Sequence, residues 1–479
     1  MVVLIVLYAI LFFWNLGRTG FLGPDEPRYA SIGRDMARTW DWVTPRLDGQ
    51  PWFEKPPLTY WLTAASRLAH LPDEWAARFP QALISLAFFY FYFRILRQEF
   101  SIAIAIVATA MLATSIGWLA FTYVAVTDLP MAATLNLAVL ITMFPHHDPR
   151  TRERWLNALL AGALLGVSAL GKGFVPIVLF APVLIIAKER FALIAGAIVT
   201  AAPWYVWCYQ RNGEAFWNEL FWKHHVARFL SPTLDHVQPF WFYLPMLALG
   251  IFPWTPLLAL LGQRRLFEDS RAKMMGAWVA WGLIFFSASR NKLPGYVLPL
   301  LPVLIILITI AFSRSPKAAY WLAACAWMAA WLPTASSILP NALLTGLSRA
   351  LAEFSLIGMS IVILLSLMVA AAAAFLMGPH VDGFRAAPLL ALAAAVTIGV
   401  LLTQTAPVLD RYVSVRRFYR SNPAAVSGAC LDRVNRTWEY GLNYYAGHPL
   451  ERCGANEPAG RRFVRVEDGR LVLGTRDDQ

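Results

Sequence analysis

The stretch GYVLPLLPVLIILITIAF, residues 295–312, runs for eighteen residues without a charged side chain. A run of this length is typical of a transmembrane helix, because about twenty residues of α-helix span the hydrocarbon core of a bilayer. Similar apolar stretches recur along most of the chain. We therefore predict an all-α integral membrane protein.

The composition of the 479-residue chain supports that class. Hydrophobic residues make up 58% of it and charged residues 15%, well below the roughly one quarter that is usual in soluble proteins. The formal net charge of +12 comes largely from short Lys and Arg clusters between the apolar stretches, which is typical of cytoplasmic loops. We therefore expect membrane lipids, and not nucleic acid, as the partners of the basic residues.

The apolar stretches predict a bundle of about thirteen transmembrane helices. Their ranges are 2–17, 78–96, 101–121, 128–144, 155–171, 173–187, 190–210, 240–262, 274–290, 295–312, 317–335, 352–377 and 386–405. Starting in the cytoplasm, the alternation of sides puts every strong basic cluster inside, as the positive-inside rule expects. The outer segments are then 18–77, 122–127, Lys172, 211–239, 291–294, 336–351 and the tail from 406.

Two outer segments and the tail are long enough to fold. Apolar residues recur at helical spacing in 25–42 and in 56–70, which predicts two amphipathic helices lying in the membrane interface. We assign residues 1–405 to a transmembrane catalytic domain and 406–479 to a small α/β periplasmic domain. In that domain we predict a helix over 437–447 and a hairpin turning at Asp468-Gly469.

Four cysteines divide into two classes. Cys208 and Cys325 lie in or beside apolar stretches, where a cysteine usually acts as a small hydrophobic residue. Cys430 and Cys453 lie in the predicted periplasmic tail. The periplasm is oxidising and the tail is too small for a large core, so we predict a disulfide between them.

Ionisable and polar side chains concentrate in the predicted outer segments. Taken singly, each has an ordinary structural interpretation: Asp128 as a solvated helix end, a loop histidine as a surface residue, Lys292 as a snorkelling side chain. Together, several outer loops bring carboxylates, amines and an imidazole to one membrane face, which favours a functional site.

Glycosyl transfer from a lipid phosphate needs such a set. A carboxylate takes the proton of the acceptor or stabilises positive charge at the sugar, and cationic side chains neutralise the leaving phosphate. For the carboxylate we predict Asp25, with Glu26 and Asp128 as further candidates. The donor-phosphate candidates are Lys55, Lys172, Arg228, Lys292 and Tyr296. Glu54 and His225 are candidate ligands of a divalent cation such as Zn²⁺, Mg²⁺ or Mn²⁺, although two ligands make a weak site.

Six motifs occur in a characteristic order: DEPRY from 25, FEKPP from 53, TDLP from 127, ALGKG from 169, HHVARF from 224 and NKLPGY from 291. In this order they resemble bacterial aminoarabinose transferases, and they are similar to the wider family of dolichyl-phosphate-mannose-type protein mannosyltransferases with the GT-C fold. The resemblance covers about residues 10–300. It implies a GT-C bundle with Asp25 as the catalytic carboxylate, Lys55 at the lipid phosphate, and Glu54 and His225 as metal ligands.

The expected activity is therefore that of an inverting glycosyltransferase. It moves a sugar from undecaprenyl phosphate to lipid A or another lipopolysaccharide acceptor, as a monomer, at the periplasmic face of the bacterial inner membrane. One alternative is the same fold glycosylating a protein hydroxyl. Another is a transporter or flippase, for which ionisable residues near the bilayer midplane and repeated halves are expected; the sequence has neither feature.

Overall fold

The computed structural model describes residues 2–144, 151–227, 238–346, 349–350, 382–454, 458, 460–467 and 469–475. The span predicted over 352–377 lies outside the described residues, and so do Arg228 and Asp468.

α-Helices dominate the described residues. In chain order they are α1 (Val2–Phe13), α2 (Asp25–Thr39), α3 (Leu58–Leu68), α4 (Asp73–Glu99), α5 (Ile102–Ala113), α6 (Ile116–Thr122), α7 (Asp128–Met143), α8 (Thr151–Lys172), α9 (Val175–Ile186), α10 (Arg190–Trp217), α11 (Tyr243–Gly250), α12 (Ser270–Ala288), α13 (Leu301–Ser313), α14 (Ala318–Ala329), α15 (Leu332–Thr345), α16 (Gly383–Tyr412), α17 (Arg416–Ser421), α18 (Pro423–Ser427) and α19 (Arg436–Ala446). Tighter 3-10 helices cover Phe240–Phe242, Thr255–Gly262, Arg264–Glu268 and Pro294–Leu300, and Asn218–Ala227 is π-helical.

Several helices have the length and composition of membrane spans. Among the described residues, five are long and apolar enough to cross a membrane, or up to eight if each bent helix pair is one span. Two shorter apolar helices, Asp128–Met143 and Val175–Ile186, accompany them. The break predicted at Gly171-Lys172-Gly173 is confirmed, because α8 ends at Lys172 and Gly173 adopts φ 65°, a left-handed conformation that favours glycine.

Two stretches predicted as single straight spans are bent. Within 101–121, α5 and α6 meet at 62°. The hydroxyls of Thr114 and Ser115 donate to the carbonyls of Ala110 and Met111, both at 2.7 Å, and such back-bonding bends helices.

The second bend lies within 240–262, where the helical segments on either side meet at 118°. Pro253 and Pro256 lie at this break. Neither can donate a backbone hydrogen bond to continue a helix, which explains the change of direction.

The stretch 295–312 lies at the centre of the bundle. It forms the 3-10 helix Pro294–Leu300 and then α13. Of its most apolar eighteen-residue stretch, 89% is buried inside the protein, against 22% for the corresponding stretch of α16. A helix that is apolar on all sides needs a fully apolar environment. For α13 that environment is the protein interior.

Both segments predicted to form interfacial helices are helical, as α2 and α3, and the two helices pack closely. A Cβ at Gly33 would lie 2.7 Å from the Cβ of Thr63 and 3.0 Å from the carbonyl oxygen of Tyr60. A larger residue at Gly33 would therefore separate α2 from α3. Between them, the strands β1 (Arg46–Leu47) and β2 (Gln50–Pro51) form a short antiparallel hairpin.

The C-terminal unit is mixed α/β. Its strands are β3 (Cys430–Asp432), β4 (Arg462–Glu467) and β5 (Arg470–Thr475); β4 pairs parallel to β3 and antiparallel to β5. The predicted hairpin and the helix α19 are thus confirmed. The predicted disulfide between Cys430 and Cys453 is also present.

This unit has a hydrophobic cluster of its own around Trp438, Leu442 and Val464. The preceding helix, α16, runs through the predicted domain boundary at 405 and ends at Tyr412.

Candidate active site

The first group of charged residues, which we call the arginine cluster, consists of Asp25, Arg28, Glu54 and Lys55. Arg28 contacts Asp25 one helical turn earlier and donates from Nη1 to Oε2 of Glu54 at 2.8 Å. The Lys55 ammonium lies 3.4 Å from Oε1 of Glu54. Two cations and two carboxylates therefore form one continuous network.

Burial differs sharply within the arginine cluster. The Arg28 side chain is 5% exposed, whereas that of Asp25 is 46% exposed. Burial lowers the pKa of the Arg28 guanidinium, but the charges of Glu54 and Asp25 outweigh this effect, and the pKa lies above its ordinary value. Arg28 is thus a permanent buried cation that orients Asp25, the accessible carboxylate.

Asp25 does not have the simple capping role that an acidic residue at a helix start often has. Helix α2 begins at Asp25, and its N-cap residue is Pro24, which offers no capping hydrogen bond. The Asp25 carboxylate contacts Arg28. Its position in the first turn still lets it interact favourably with the helix dipole.

Glu26 occupies a different environment from its neighbour. It is fully buried, and its two carboxylate oxygens accept hydrogen bonds from Arg78 at 2.6 and 2.7 Å. The amides of Leu22 and Ala125 donate to the same oxygens at 2.8 and 2.9 Å. This geometry favours a structural role for Glu26 over the catalytic role considered from the sequence, because its oxygens are occupied and inaccessible.

The second group, which we call the lysine cluster, consists of Asp128, Lys172 and Tyr296. The Lys172 ammonium pairs with Asp128 and lies 4.5 Å from the centroid of the Tyr296 ring. Asp128 is the first residue of α7 and Lys172 the last of α8. Each charge therefore interacts favourably with the dipole of its own helix.

The two clusters lie beside each other at one end of the bundle. Phe53, which precedes the Glu54-Lys55 pair, packs in one hydrophobic cluster with Leu170 of α8. A side-chain carbon of Leu58 lies 3.5 Å from where a Cβ at Gly171 would be. The structure thus brings together the predicted outer segment 18–77, Lys172 and the ends of the predicted spans 128–144 and 295–312.

The π-helical segment Asn218–Ala227 adds an imidazole to this end of the bundle. His224 lies 3.0 Å from Glu219 and is close enough to Lys55 and Glu54 to interact electrostatically with both. The backbone of His225 is described, but its side chain lies outside the described residues.

The described contacts of Glu54 do not fit a metal site. Its Oε2 accepts a hydrogen bond from Arg28 and its Oε1 faces Lys55, and these two positive charges repel a cation. Within the described part of the chain, no group of three or more His, Cys, Asp or Glu residues is arranged to hold a metal ion. The expectation that Glu54 and His225 bind a divalent cation stays a prediction.

Lys292, another predicted phosphate-binding residue, is bonded within its own loop. It is 6% exposed and its ammonium donates to the carbonyl of Ser289. That bond holds the loop that leads to Tyr296. Lys292 is therefore better placed to support Tyr296 than to contact a substrate, whereas Tyr296 itself reaches the lysine cluster.

Two important residues were not singled out from the sequence. Arg28 lies in the DEPRY motif three residues after Asp25. This spacing places both side chains on one face of a helix, so the sequence could have predicted their contact. Arg78 lies in the apolar stretch of α4, and nothing in the sequence pairs it with Glu26.

Chemically, the two clusters form a site with balanced charge. Each carboxylate is paired with a cation, and the Lys55 and Lys172 side chains are 14% and 11% exposed. A dianionic ligand that enters can exchange these pairings for charge-assisted bonds of its own. Asp25 then stays as the most exposed carboxylate of the arginine cluster.

Comparisons with known proteins identify sequences and structures that are similar to this chain. Residues 54–209 match the family described as dolichyl-phosphate-mannose-protein mannosyltransferase. The undecaprenyl phosphate-alpha-4-amino-4-deoxy-L-arabinose arabinosyl transferase of Yersinia enterocolitica is 33% identical over 326 residues, which are 64% of this chain and 58% of that protein. The protein of the same name from Serratia proteamaculans is 32% identical over 64% of this chain and 58% of its own. The chain thus spans less than two thirds of the length of these curated relatives.

Solved structures extend the likeness to nearly the whole chain. The crystal structure of ArnT from Cupriavidus metallidurans bound to undecaprenyl phosphate has a TM-score of 0.75 and 26% identity, covering 95% of this chain and 86% of that one. The apo structure of the same protein has a TM-score of 0.68. With its apolar helices, this chain is a multi-pass membrane protein. The resemblance predicted from the motifs is confirmed: in sequence and in fold, this chain is similar to the undecaprenyl phosphate aminoarabinose arabinosyl transferases.

Proposed function

We propose that this protein is an inverting glycosyltransferase that takes a sugar from undecaprenyl phosphate and transfers it to lipid A or another lipopolysaccharide acceptor. The observation that carries the proposal is the convergence of Lys55 and Lys172, each beside a carboxylate, at one end of the bundle. This arrangement occurs in a fold similar to that of ArnT, whose crystal structure holds undecaprenyl phosphate.

In the proposed reaction, an acceptor oxygen attacks the anomeric carbon of the sugar as the bond to the phosphate oxygen breaks. Undecaprenyl phosphate leaves, and a single displacement inverts the anomeric carbon. Negative charge grows on the leaving phosphate, where Lys55 and Lys172 stabilise it by charge-assisted hydrogen bonds. Tyr296, which stacks against Lys172, keeps that ammonium directed toward the phosphate.

Asp25 has two roles open to it, and the acceptor decides between them. A hydroxyl acceptor must lose a proton, which a carboxylate can take as general base. A phosphate acceptor is already ionised at neutral pH, so Asp25 would instead stabilise positive charge at the sugar. Its exposure and its contact with Arg28 suit both roles.

We further propose that the reaction takes place on the periplasmic side of a bacterial inner membrane. The positive-inside pattern supports this orientation, because it assigns the basic loops to the cytoplasm. The disulfide between Cys430 and Cys453 supports an oxidising compartment for the tail. About thirteen spans, a domain boundary near 405 and a monomeric state complete this proposal.

A second acceptor class has one observation in its favour. The family that matches residues 54–209 is named for transfer to protein, so a protein hydroxyl is the alternative acceptor. The chemistry at the anomeric carbon would be the same. The two alternatives would differ in the acceptor that approaches Asp25, which is either a lipopolysaccharide group or a protein hydroxyl.

Mass spectrometry of a deletion strain tests the proposal. Lipid A and other cell-surface glycans are compared in the parent, the deletion strain, and deletion strains complemented with the parent gene or with Asp25→Asn. We expect the lipid A of the deletion strain to lack the mass of one sugar. Complementation with the parent gene should restore this mass, and complementation with Asp25→Asn should not. Unchanged lipid A with loss of O-glycopeptides would assign the protein-acceptor alternative, and no change in any glycan would refute glycosyl transfer.

A further inference from the structure

The C-terminal unit is docked on the start of α4 and on α2, the helix that carries Asp25 and Arg28 of the arginine cluster. Tyr444 of α19 donates to Asp73 at 2.9 Å, and Tyr445 donates to Glu74 at 2.8 Å. Arg34 of α2 donates to the carbonyl of Tyr444 at 2.8 Å and stacks on its ring at 4.2 Å. These contacts join α19 to the start of α4 and to the middle of α2.

Four residues before Tyr444, Tyr440 lies on the same face of α19, because residues at i and i+4 are neighbours on a helix. Its ring centroid lies 5.1 Å from the guanidinium carbon of Arg28. The rings of Trp52 and Tyr29 lie 5.5 and 5.8 Å from the same carbon. Arg28 is therefore enclosed by three aromatic rings, and one of them comes from the C-terminal unit.

This enclosure bears directly on the candidate site. Arg28 contacts Asp25 and Glu54, and Glu54 faces Lys55. A cation held over aromatic rings is attracted by their negative faces, so the Tyr440 ring restricts where the guanidinium can lie. The position of Arg28 in turn determines the positions of the two carboxylates.

We propose that Tyr440 is a positioning residue of the transferase site, through which the docked C-terminal unit holds Arg28 and thereby Glu54 and Lys55 in the geometry that binds the donor phosphate. This inference rests on the proposed function. It makes the C-terminal unit part of the site.

The test uses the full-length protein in lipid nanodiscs and measures its affinity for undecaprenyl phosphate. Tyr440→Ala removes the ring, Tyr440→Phe keeps the ring without the hydroxyl, and Tyr412→Ala is the matched control. Tyr412 lies at the end of α16 and stacks with Arg411 and Arg470 instead. We expect Tyr440→Ala to bind roughly tenfold more weakly, and Tyr440→Phe and Tyr412→Ala to bind like the parent.

A second measurement checks the contact itself. Phenylglyoxal modifies accessible arginines, and peptide mass spectrometry reports the extent at Arg28. Because Tyr440 covers Arg28, modification of Arg28 should rise in Tyr440→Ala and stay at the parent level in Tyr440→Phe.

The outcomes separate the two proposals. If the parent binds undecaprenyl phosphate and Tyr440→Ala binds it equally well, the positioning role is overturned while the proposed function stands. Equal weakening in Tyr440→Ala and Tyr412→Ala would also overturn the positioning role, since it would reflect general loosening of the tail. A parent protein without affinity for undecaprenyl phosphate would overturn the proposed function and, with it, this inference.

Discussion

Glu26 and Arg78 form a completely enclosed ion pair in which two guanidinium nitrogens donate to the two carboxylate oxygens at 2.6 and 2.7 Å. The same guanidinium donates to the carbonyls of Leu16, Thr19 and Gly20. One ion pair thus joins the start of α2 and the second turn of α4 to the segment that follows α1.

Replacing Glu26 by Gln should therefore destabilise the protein. The substitution removes the carboxylate that is hydrogen-bonded to the buried Arg78 charge, and breaking a buried ion pair typically costs about 3–5 kcal/mol. The midpoint of thermal unfolding in detergent measures the effect. Asp35→Asn, at the exposed Asp35–Arg38 pair of the same helix, is the control and should change stability by less than about 1 kcal/mol. Equal midpoints for both variants would contradict the structural role of Glu26.

Asp25→Asn should lower the rate of transfer without lowering the stability of the protein, the opposite of the effect expected for Glu26→Gln. Asn can still accept a hydrogen bond from Arg28 but cannot take a proton, so stability and affinity for undecaprenyl phosphate should stay near those of the parent. Transfer should fall by about two to four orders of magnitude if Asp25 is the general base. Initial rates at saturating donor, compared with those of Asp35→Asn, measure this loss. Near-normal turnover in a stable, donor-binding Asp25→Asn protein would rule out both proposed roles of Asp25.

Lys55→Ala should act mainly on donor binding. Loss of a charge-assisted bond to the phosphate predicts roughly a tenfold to hundredfold weaker affinity for undecaprenyl phosphate. Lys55→Arg should recover only part of the lost affinity, because the planar guanidinium of arginine does not place its charge where an ammonium does. Lys223→Ala, which removes an exposed lysine paired with Glu219, is the control. Unchanged affinity in Lys55→Ala would move the phosphate site to Lys172.

The tail disulfide should protect the C-terminal unit. Cys430 and Cys453 are 23 residues apart, and closing a loop of that size typically stabilises a fold by about 3 kcal/mol. Cys453→Ser should lower the temperature at which the tail becomes sensitive to protease, whereas Cys325→Ser, at a buried free thiol, should leave that temperature unchanged. Alkylation before and after reduction, followed by peptide mass spectrometry, checks the bond itself. Two tail thiols alkylated without reductant would show that it is absent.

Local sequence patterns were sufficient to predict several features of the structure. The apolar run 295–312, the amphipathic segments that became α2 and α3, the helix end at Gly173 and the C-terminal hairpin all depend on residues near one another in the chain. Such features follow from periodicity, turn chemistry and the length of a bilayer span. The motif order likewise anticipated the similarity to aminoarabinose transferases.

The tertiary structure decided what the adjacent carboxylates do. Asp25 and Glu26 are neighbours in sequence, and the residue type does not distinguish them. One faces outward beside Arg28, while the other is buried against Arg78. The cause is the packing of α4 against α2, which places Arg78 under one side of the helix only, and an ion pair across that contact cannot be read from either segment alone.

The same reason explains the bends and the position of the tail. Whether the run 101–121 continues straight or turns depends on how its hydroxyls bond once the helix is surrounded by protein. The position of Tyr440 over Arg28 depends on how the C-terminal unit docks, through contacts between residues that are distant in the chain. Sequence by itself determined the class of fold and the residue types gathered at one face; long-range packing determined which of them are buried, paired or exposed.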